Sequence, residues 1–245
     1  MSNIYEALQH AGSQMKQKEK STVLPRVSAA DIPSANEDVT MEAEMIDLYR
    51  HIDALLPDSP KMVLQFIGSR PGEGVSTIVR EYAAMATARL GKSVLILDAN
   101  QNRDQRDFFQ ITNNCGWDEA ICDPEAMDKA TCRVGDSSLY VSGMSHGSSA
   151  IPLLFDAGQL KNFFTGLKMR FDLVLLDSPP VTTGTDSTSL SRCADGVVLV
   201  VEADKTRLQV AENLKVKIQK SGGNILGLVF NKRRYYIPEW LYKRL

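Results

Sequence analysis

The feature that most limits the fold is an alternation of short apolar runs with stretches of helical spacing. The runs cover residues 62–67, 93–97, 139–142, 171–176, 196–201 and 224–230, each about the length of one strand. Between them, Ile78/Tyr82/Ala86/Leu90, Leu160/Phe163/Phe164/Leu167 and Leu208/Ala211/Leu214/Ile218 recur at the spacing of one helix face. Several runs are apolar on both faces, as expected of strands covered by helices on both sides. The pattern predicts an α/β fold, a doubly wound and mostly parallel sheet with crossover helices. A chain of 245 residues holds one such domain with appendages. The stretch 101–138 has weak periodicity and many turn formers, and no element is assigned to it.

The first run breaks into Gly68-Ser69-Arg70-Pro71-Gly72-Glu73-Gly74-Val75-Ser76-Thr77, a glycine loop that opens a helix. Loops of this type cradle phosphates on backbone N–H groups and end Gly-Lys-Ser/Thr. The lysine there reaches the β/γ-phosphates and the hydroxyl holds Mg²⁺. Here Gly74 and Ser76 stand in place, but Val75 occupies the lysine position. Helix-opening N–H groups and the helix dipole attract anions with or without a lysine. The expected phosphate-binding residues are therefore Arg70, Gly72, Glu73, Gly74, Val75, Ser76 and Thr77.

In an open parallel sheet, ligands sit at the carboxyl ends of the strands. Two further runs end there in a carboxylate: Val94-Leu95-Ile96-Leu97-Asp98 and Leu173-Val174-Leu175-Leu176-Asp177. An acid so placed can hold Mg²⁺, directly or through water, or orient an attacking hydroxyl; it can also merely cap the next turn. With Ser76, these two acids form the candidate metal set, and they are the candidate catalytic carboxylates. The last run ends at Asn231, whose amide can read a base edge or simply make a strand-end turn.

Outside this core, residues 2–12 carry Ile4, Leu8 and Ala11 at helical spacing, and 13–40 form a polar stretch with lysines and prolines that reads as a disordered linker. The globular domain is expected over 41–231, opening with a helix through Met45, Leu48, Ile52 and Leu55 that stops at Pro57. A net charge of −2 gives no basic excess of the kind nucleic-acid binding needs. Cys115, Cys122, Cys132 and Cys193 have no metal spacing and no secretory signal precedes them, so free thiols in a reducing cytosol are expected. No apolar run approaches the roughly 20 residues that cross a bilayer.

Taken together, these pieces resemble the cytoplasmic ATPase domain of the bacterial tyrosine kinases (BY-kinases), polysaccharide co-polymerase partners related to MinD/ParA P-loop proteins. The resemblance runs from about Glu44 to Asn231. Ser69–Gly74 with Ser76-Thr77 is similar to the family's Walker A loop, Leu97-Asp98-Ala99-Asn100 to its Walker A′ motif, and Leu173 through Asp177-Ser178-Pro179-Pro180 to its Walker B and switch stretch. The residues 194–207 resemble its late strand-to-helix segment, and Ser2-Asn3-Ile4-Tyr5-Glu6-Ala7-Leu8 the start of exopolysaccharide-operon members.

The resemblance implies ATP or ADP with Mg²⁺ as cofactor, an inner-membrane chain-length protein as partner, and a cytoplasmic location at the membrane through that partner. It also implies tail tyrosines, here Tyr235, Tyr236 and Tyr242, as phosphoacceptors within a basic stretch 232–245. That tail is also suited to anionic lipid or to folding back on its own domain.

Three departures point away from full activity. Val75 lacks the lysine's ammonium, and Asn100 stands where the A′ motif carries a second aspartate. The family's subunit-contact pattern Glu-x-x-Arg-x-x-Arg reads Glu44, Asp47 and Arg50, with the middle charge reversed. Arg70 sits where MinD/ParA proteins place an extra lysine, and either reaches a phosphate or is a solvated loop arginine. The leading reading is thus an exopolysaccharide regulatory protein with weak or no kinase activity. An active autokinase and a MinD/ParA-type positioning ATPase are the alternatives.

Overall fold

The computed structural model describes residues 26–27, 41–100, 105–111, 115–145, 155–183 and 187–233. The helix expected over 2–12, nearly all of the stretch 13–40, and Tyr235, Tyr236 and Tyr242 lie outside the described residues. The strands are β1 (Arg26–Val27), β2 (Met62–Gly68), β3 (Val94–Asp98), β4 (Cys132–Val134), β5 (Leu139–Ser142), β6 (Leu173–Asp177), β7 (Gly196–Glu202) and β8 (Ile225–Asn231). They form one sheet in the order β1-β4-β5-β3-β6-β2-β7-β8. Every neighbouring pair is parallel except β4 with β5. The doubly wound, mostly parallel sheet expected from the alternation is therefore present. β4 was not expected, and β1 lies within the stretch read as linker.

The helices are α1 (Glu42–Leu55), α2 (Val75–Leu90), α3 (Gln105–Phe108), α4 (Ala126–Ala130), α5 (Ala157–Arg170) and α6 (Leu208–Lys220). Strand alternation divides their work. Met62, Leu64 and Phe66 of β2, Val94 and Ile96 of β3, and Leu173 and Leu175 of β6 pack with α1 and α2 on one face. Val63, Leu95, Leu97, Val174 and Leu176 point to the other face, against Leu160, Phe164 and Leu167 of α5. Leu214 and Ile218 of α6 cover Ile67, Val197 and Leu199. Full burial of one such aliphatic or aromatic side chain contributes roughly 1.5–3 kcal/mol, so this two-sided interior is the main source of stability.

Local signals set the helix ends. Asp156 and Gln159 close a reciprocal capping box at the start of α5, with Gln159 N–H donating to Asp156 Oδ1 at 2.8 Å. Gly91, with φ +62, ends α2 in the left-handed conformation. On the exposed face of α1, Arg50 pairs with Asp47 of its own helix at 3.4 Å, so the reversed charge is met locally. Among the described residues, no helix is long and apolar enough to cross a membrane.

One core residue carries an uncompensated polar group. Tyr82 of α2 is 0 % exposed, packed 5.7 Å from the Phe66 ring, and its hydroxyl has no hydrogen-bond partner. Burial, the largest cause, pushes the hydroxyl pKa up. Removing a buried, unpaired hydroxyl while keeping the ring relieves a desolvation cost of about 1 kcal/mol. Tyr82→Phe is therefore expected to raise the urea midpoint with an unchanged slope; a lowered midpoint would mean that the hydroxyl has a partner in solution.

Candidate functional site

The register of the central strands builds the site. Asp98 of β3 lies directly opposite Asp177 of β6, and Phe66 of β2 lies opposite Asp177 on its other side. Counting by twos from Ile96 and Leu175 places both carboxylates on the face covered by α2, beside the glycine loop that links β2 to α2. Sequence order brought these residues to adjacent strand ends; alternation put them on the same face.

The loop itself holds its shape from within. Gly72 and Gly74 have φ +87 and +91, conformations that favour glycine. The Glu73 side chain is 2 % exposed and folds under the loop instead of reaching outward. Its carboxylate accepts from Ser69 N–H, from the Ser69 hydroxyl at 2.7 Å, from Arg70 N–H at 2.9 Å and from the Thr206 hydroxyl at 2.7 Å. Glu73 is thus a loop brace, tied to the segment after β7.

Asn231 has a similar part: its Nδ2 donates to Glu73 O at 2.9 Å, and its Oδ1 accepts from Lys232 N–H at 2.9 Å. The amide considered above as a base reader thus ties the end of β8 to the glycine loop.

A cleft of about 680 Å³ opens over the loop, lined by all the predicted phosphate-binding residues from Arg70 to Thr77 and also by Arg80, Asn100, Ser178 and Lys232. Val75 contributes no charge to it. Its side chain is 9 % exposed and belongs to the apolar cluster of α1 and α2. The loop therefore offers N–H groups, the Ser76 and Thr77 hydroxyls and the N-terminal end of a helix of 16 residues, without its own cation.

Beneath the cleft, Gln105 joins the two acids. Its backbone N–H donates to Asp98 Oδ2, and its Nε2 donates to Asp177 Oδ2 at 2.6 Å. Its Oε1 accepts from Arg80 Nη1 at 2.9 Å, and the Arg80 guanidinium lies 4.0 Å above the Phe108 ring. Burial lowers the Arg80 pKa, while Asp177, Glu81 and Asp98 oppose the shift; an arginine so placed stays charged. Asp98 is fixed further by Asn100 N–H on Oδ1 at 2.8 Å and by the Trp117 indole on its carbonyl at 2.9 Å. Burial pushes the Asp177 carboxyl up to about 6, against the opposing pull of the Gln105 and Ser76 donors and the Arg80 charge.

The donor set suits a magnesium ion. Asp177 Oδ1 is buried without a hydrogen-bond partner, an acceptor of the kind that a metal-bound water satisfies. Mg²⁺ is usually held by one or two carboxylates together with phosphates and waters. Asp98, Asp177 and the Ser76 hydroxyl meet that requirement.

Arg80, Gln105 and Lys232 were missed as site residues from sequence. Arg80 was within reach of sequence reasoning, being four residues after Ser76 and so on the same face of α2. Gln105 lies in a stretch without period, and Lys232 read as part of a basic tail.

The family model described as Cellulose biosynthesis protein BcsQ matches residues 61–215. The tyrosine-protein kinase YwqD of Bacillus subtilis is 26% identical over 165 residues, 67% of this chain and 69% of that protein. The kinase domain of the Escherichia coli tyrosine kinase ETK superposes with a TM-score of 0.73 at 18% identity, over 82% of this chain and 80% of that one. The septum site-determining protein MinD complexed with Mg-ADP, from Pyrococcus horikoshii, superposes with a TM-score of 0.54 at 17% identity, over 75% and 76%. The last two likenesses concern the fold alone, a mostly parallel sheet covered by helices.

Proposed function

The chain belongs to the BcsQ family, among the P-loop proteins related to bacterial tyrosine kinases and to MinD/ParA, and from that premise we propose that it is a nucleotide-holding regulator of exopolysaccharide production. In this reading it has little or no capacity to transfer a phosphoryl group. It works through protein contacts with an inner-membrane chain-length partner.

The observation that carries the proposal is the contrast within one loop. Val75 is packed into the core, while Ser76 lines a cleft of about 680 Å³ and Asp98 lies opposite Asp177 at the adjacent strand ends. The loop N–H groups and the α2 dipole bind the phosphates. Ser76, Asp98 and Asp177 hold Mg²⁺, which when bound neutralises phosphate charge. Gln105 bridges and orients the two carboxylates, and Arg80 holds Gln105. Loss of one transition-state cation costs rate heavily, as the roughly 10³–10⁵-fold effect of an arginine finger illustrates. Binding rests on many N–H groups and tolerates the loss better.

Calorimetry with ADP·Mg²⁺ and ATP·Mg²⁺, beside mass spectrometry of the peptides containing Tyr235, Tyr236 and Tyr242 after incubation with ATP, tests this. Nucleotide binding without phosphate on any of the three tyrosines is expected. Rapid phosphorylation, or no binding of either nucleotide, would sink the proposal.

A second reading, an active autokinase, draws on Arg80 and Lys232, two cations that line the cleft from outside the loop. It requires phosphate on the tail tyrosines once the membrane partner is added.

A further inference from the structure

The nucleotide reading leaves a charge to be found, because polyphosphate in this loop has no lysine from the loop itself. Three basic side chains line the cleft: Arg70, Arg80 and Lys232. Arg80 is committed to Gln105 Oε1 and to the Phe108 ring. Arg70 is an exposed side chain on the loop's outer turn. Lys232 differs from both in how it is held.

β8 ends at Asn231, and the next residue turns back on itself. Lys232 has φ +58, a left-handed conformation that is uncommon for a side chain with a Cβ. Asn231 stabilises that turn and the loop together, since one end of its amide accepts from Lys232 N–H and the other donates to Glu73 O. The turn carries the Lys232 ammonium back across the sheet edge to the glycine loop, where it donates to Gly72 O. One carbonyl partner leaves the ammonium two more donors. Beneath the cleft, Asp177 is 0 % exposed and its Oδ1 has no hydrogen-bond partner.

We propose that Lys232 is the phosphate-binding cation of this chain, delivered from the end of β8 in place of the lysine that Val75 lacks. The ligand class is a nucleoside diphosphate or triphosphate, and the ammonium leaves or shares Gly72 O to reach its phosphates. This inference rests on the nucleotide reading above and adds the residue that reads the phosphate charge. It also makes the end of β8 part of the binding site.

The test is ADP binding by calorimetry, with Mg²⁺, for the full chain and for two variants. Lys232→Gln keeps the length and loses the charge. It is expected to weaken ADP binding roughly tenfold or more, the usual consequence of losing a charge-assisted hydrogen bond. Lys232→Arg keeps the charge and is expected to retain most of the affinity. Thermal melts of both variants should match the unsubstituted protein, because the side chain is exposed. Equal affinity for Lys232→Gln, or equal losses in the Gln and Arg variants, overturns the inference while the nucleotide reading stands. If the unsubstituted protein binds no ADP, both fall.

Discussion

Asp177→Asn is expected to stabilise the nucleotide-free protein at pH 8 by on the order of 2 kcal/mol, and to weaken its Mg²⁺-dependent nucleotide binding. The reason lies in a carboxylate that is fully buried, with Oδ2 paired to Gln105 and Oδ1 unpaired. Burial, the largest cause, raises its pKa to about 6 from an ordinary value of 3.8. Between those two values the native state keeps a proton that the unfolded chain has released. The native state is therefore favoured most at low pH and loses stability as pH rises through about 6.

Asparagine removes this dependence while keeping an oxygen for the Gln105 amide. Urea unfolding of the two proteins from pH 4.5 to 8 checks the sign. The advantage of the asparagine variant should grow with pH and level off above about 7. A constant difference, or a loss at pH 8, would mean that the Asp177 carboxylate is not strained in the native state.

The sheet was legible because its strands are buried on both faces. Runs such as 62–67 and 171–176 hold one polar residue each, Gln65 and Asp172, and stay apolar on both faces, and the observed β2 and β6 fall on them. β4 escaped for the opposite reason: Cys132–Val134 has three residues, too few for a period, and pairs antiparallel with β5 at the far side of the sheet.

The site divides in the same way. The glycine loop, Asp98 and Asp177 follow directly from strand ends, and strand register alone brings the two acids side by side. What sequence could not supply was approach from a distance. Thr206 reaches Glu73 across 133 positions and Lys232 reaches Gly72 across 160. Nor could it tell which way a loop residue faces: Glu73 reads as a phosphate-loop carboxylate and is in fact folded inward as a brace.

Gly74→Ala is expected to cost about 3 kcal/mol of stability and most of the nucleotide affinity, whereas Gly72→Ala costs only about 1–2 kcal/mol. Both glycines have positive φ, so both substitutions pay backbone strain. Their surroundings differ. A Cβ on Gly72 meets nothing within 4 Å, while one on Gly74 would lie 2.1 Å from Asn231 Nδ2 and 3.8 Å from Lys232 Cε.

The Asn231 amide has little room to yield, because it is bonded at one end to Glu73 O and at the other to Lys232 N–H. Displacing it breaks the link from β8 to the loop and removes the turn that sets Lys232 over Gly72. Urea unfolding and ADP calorimetry on the two variants separate strain from displacement. The stability losses should differ by about the value of one or two hydrogen bonds, roughly 1–2 kcal/mol. The difference in ADP affinity should be larger than that difference in stability suggests, since only Gly74→Ala disturbs Lys232. Equal effects of the two alanines would mean that Asn231 moves aside freely, and that the end of β8 does not hold the loop.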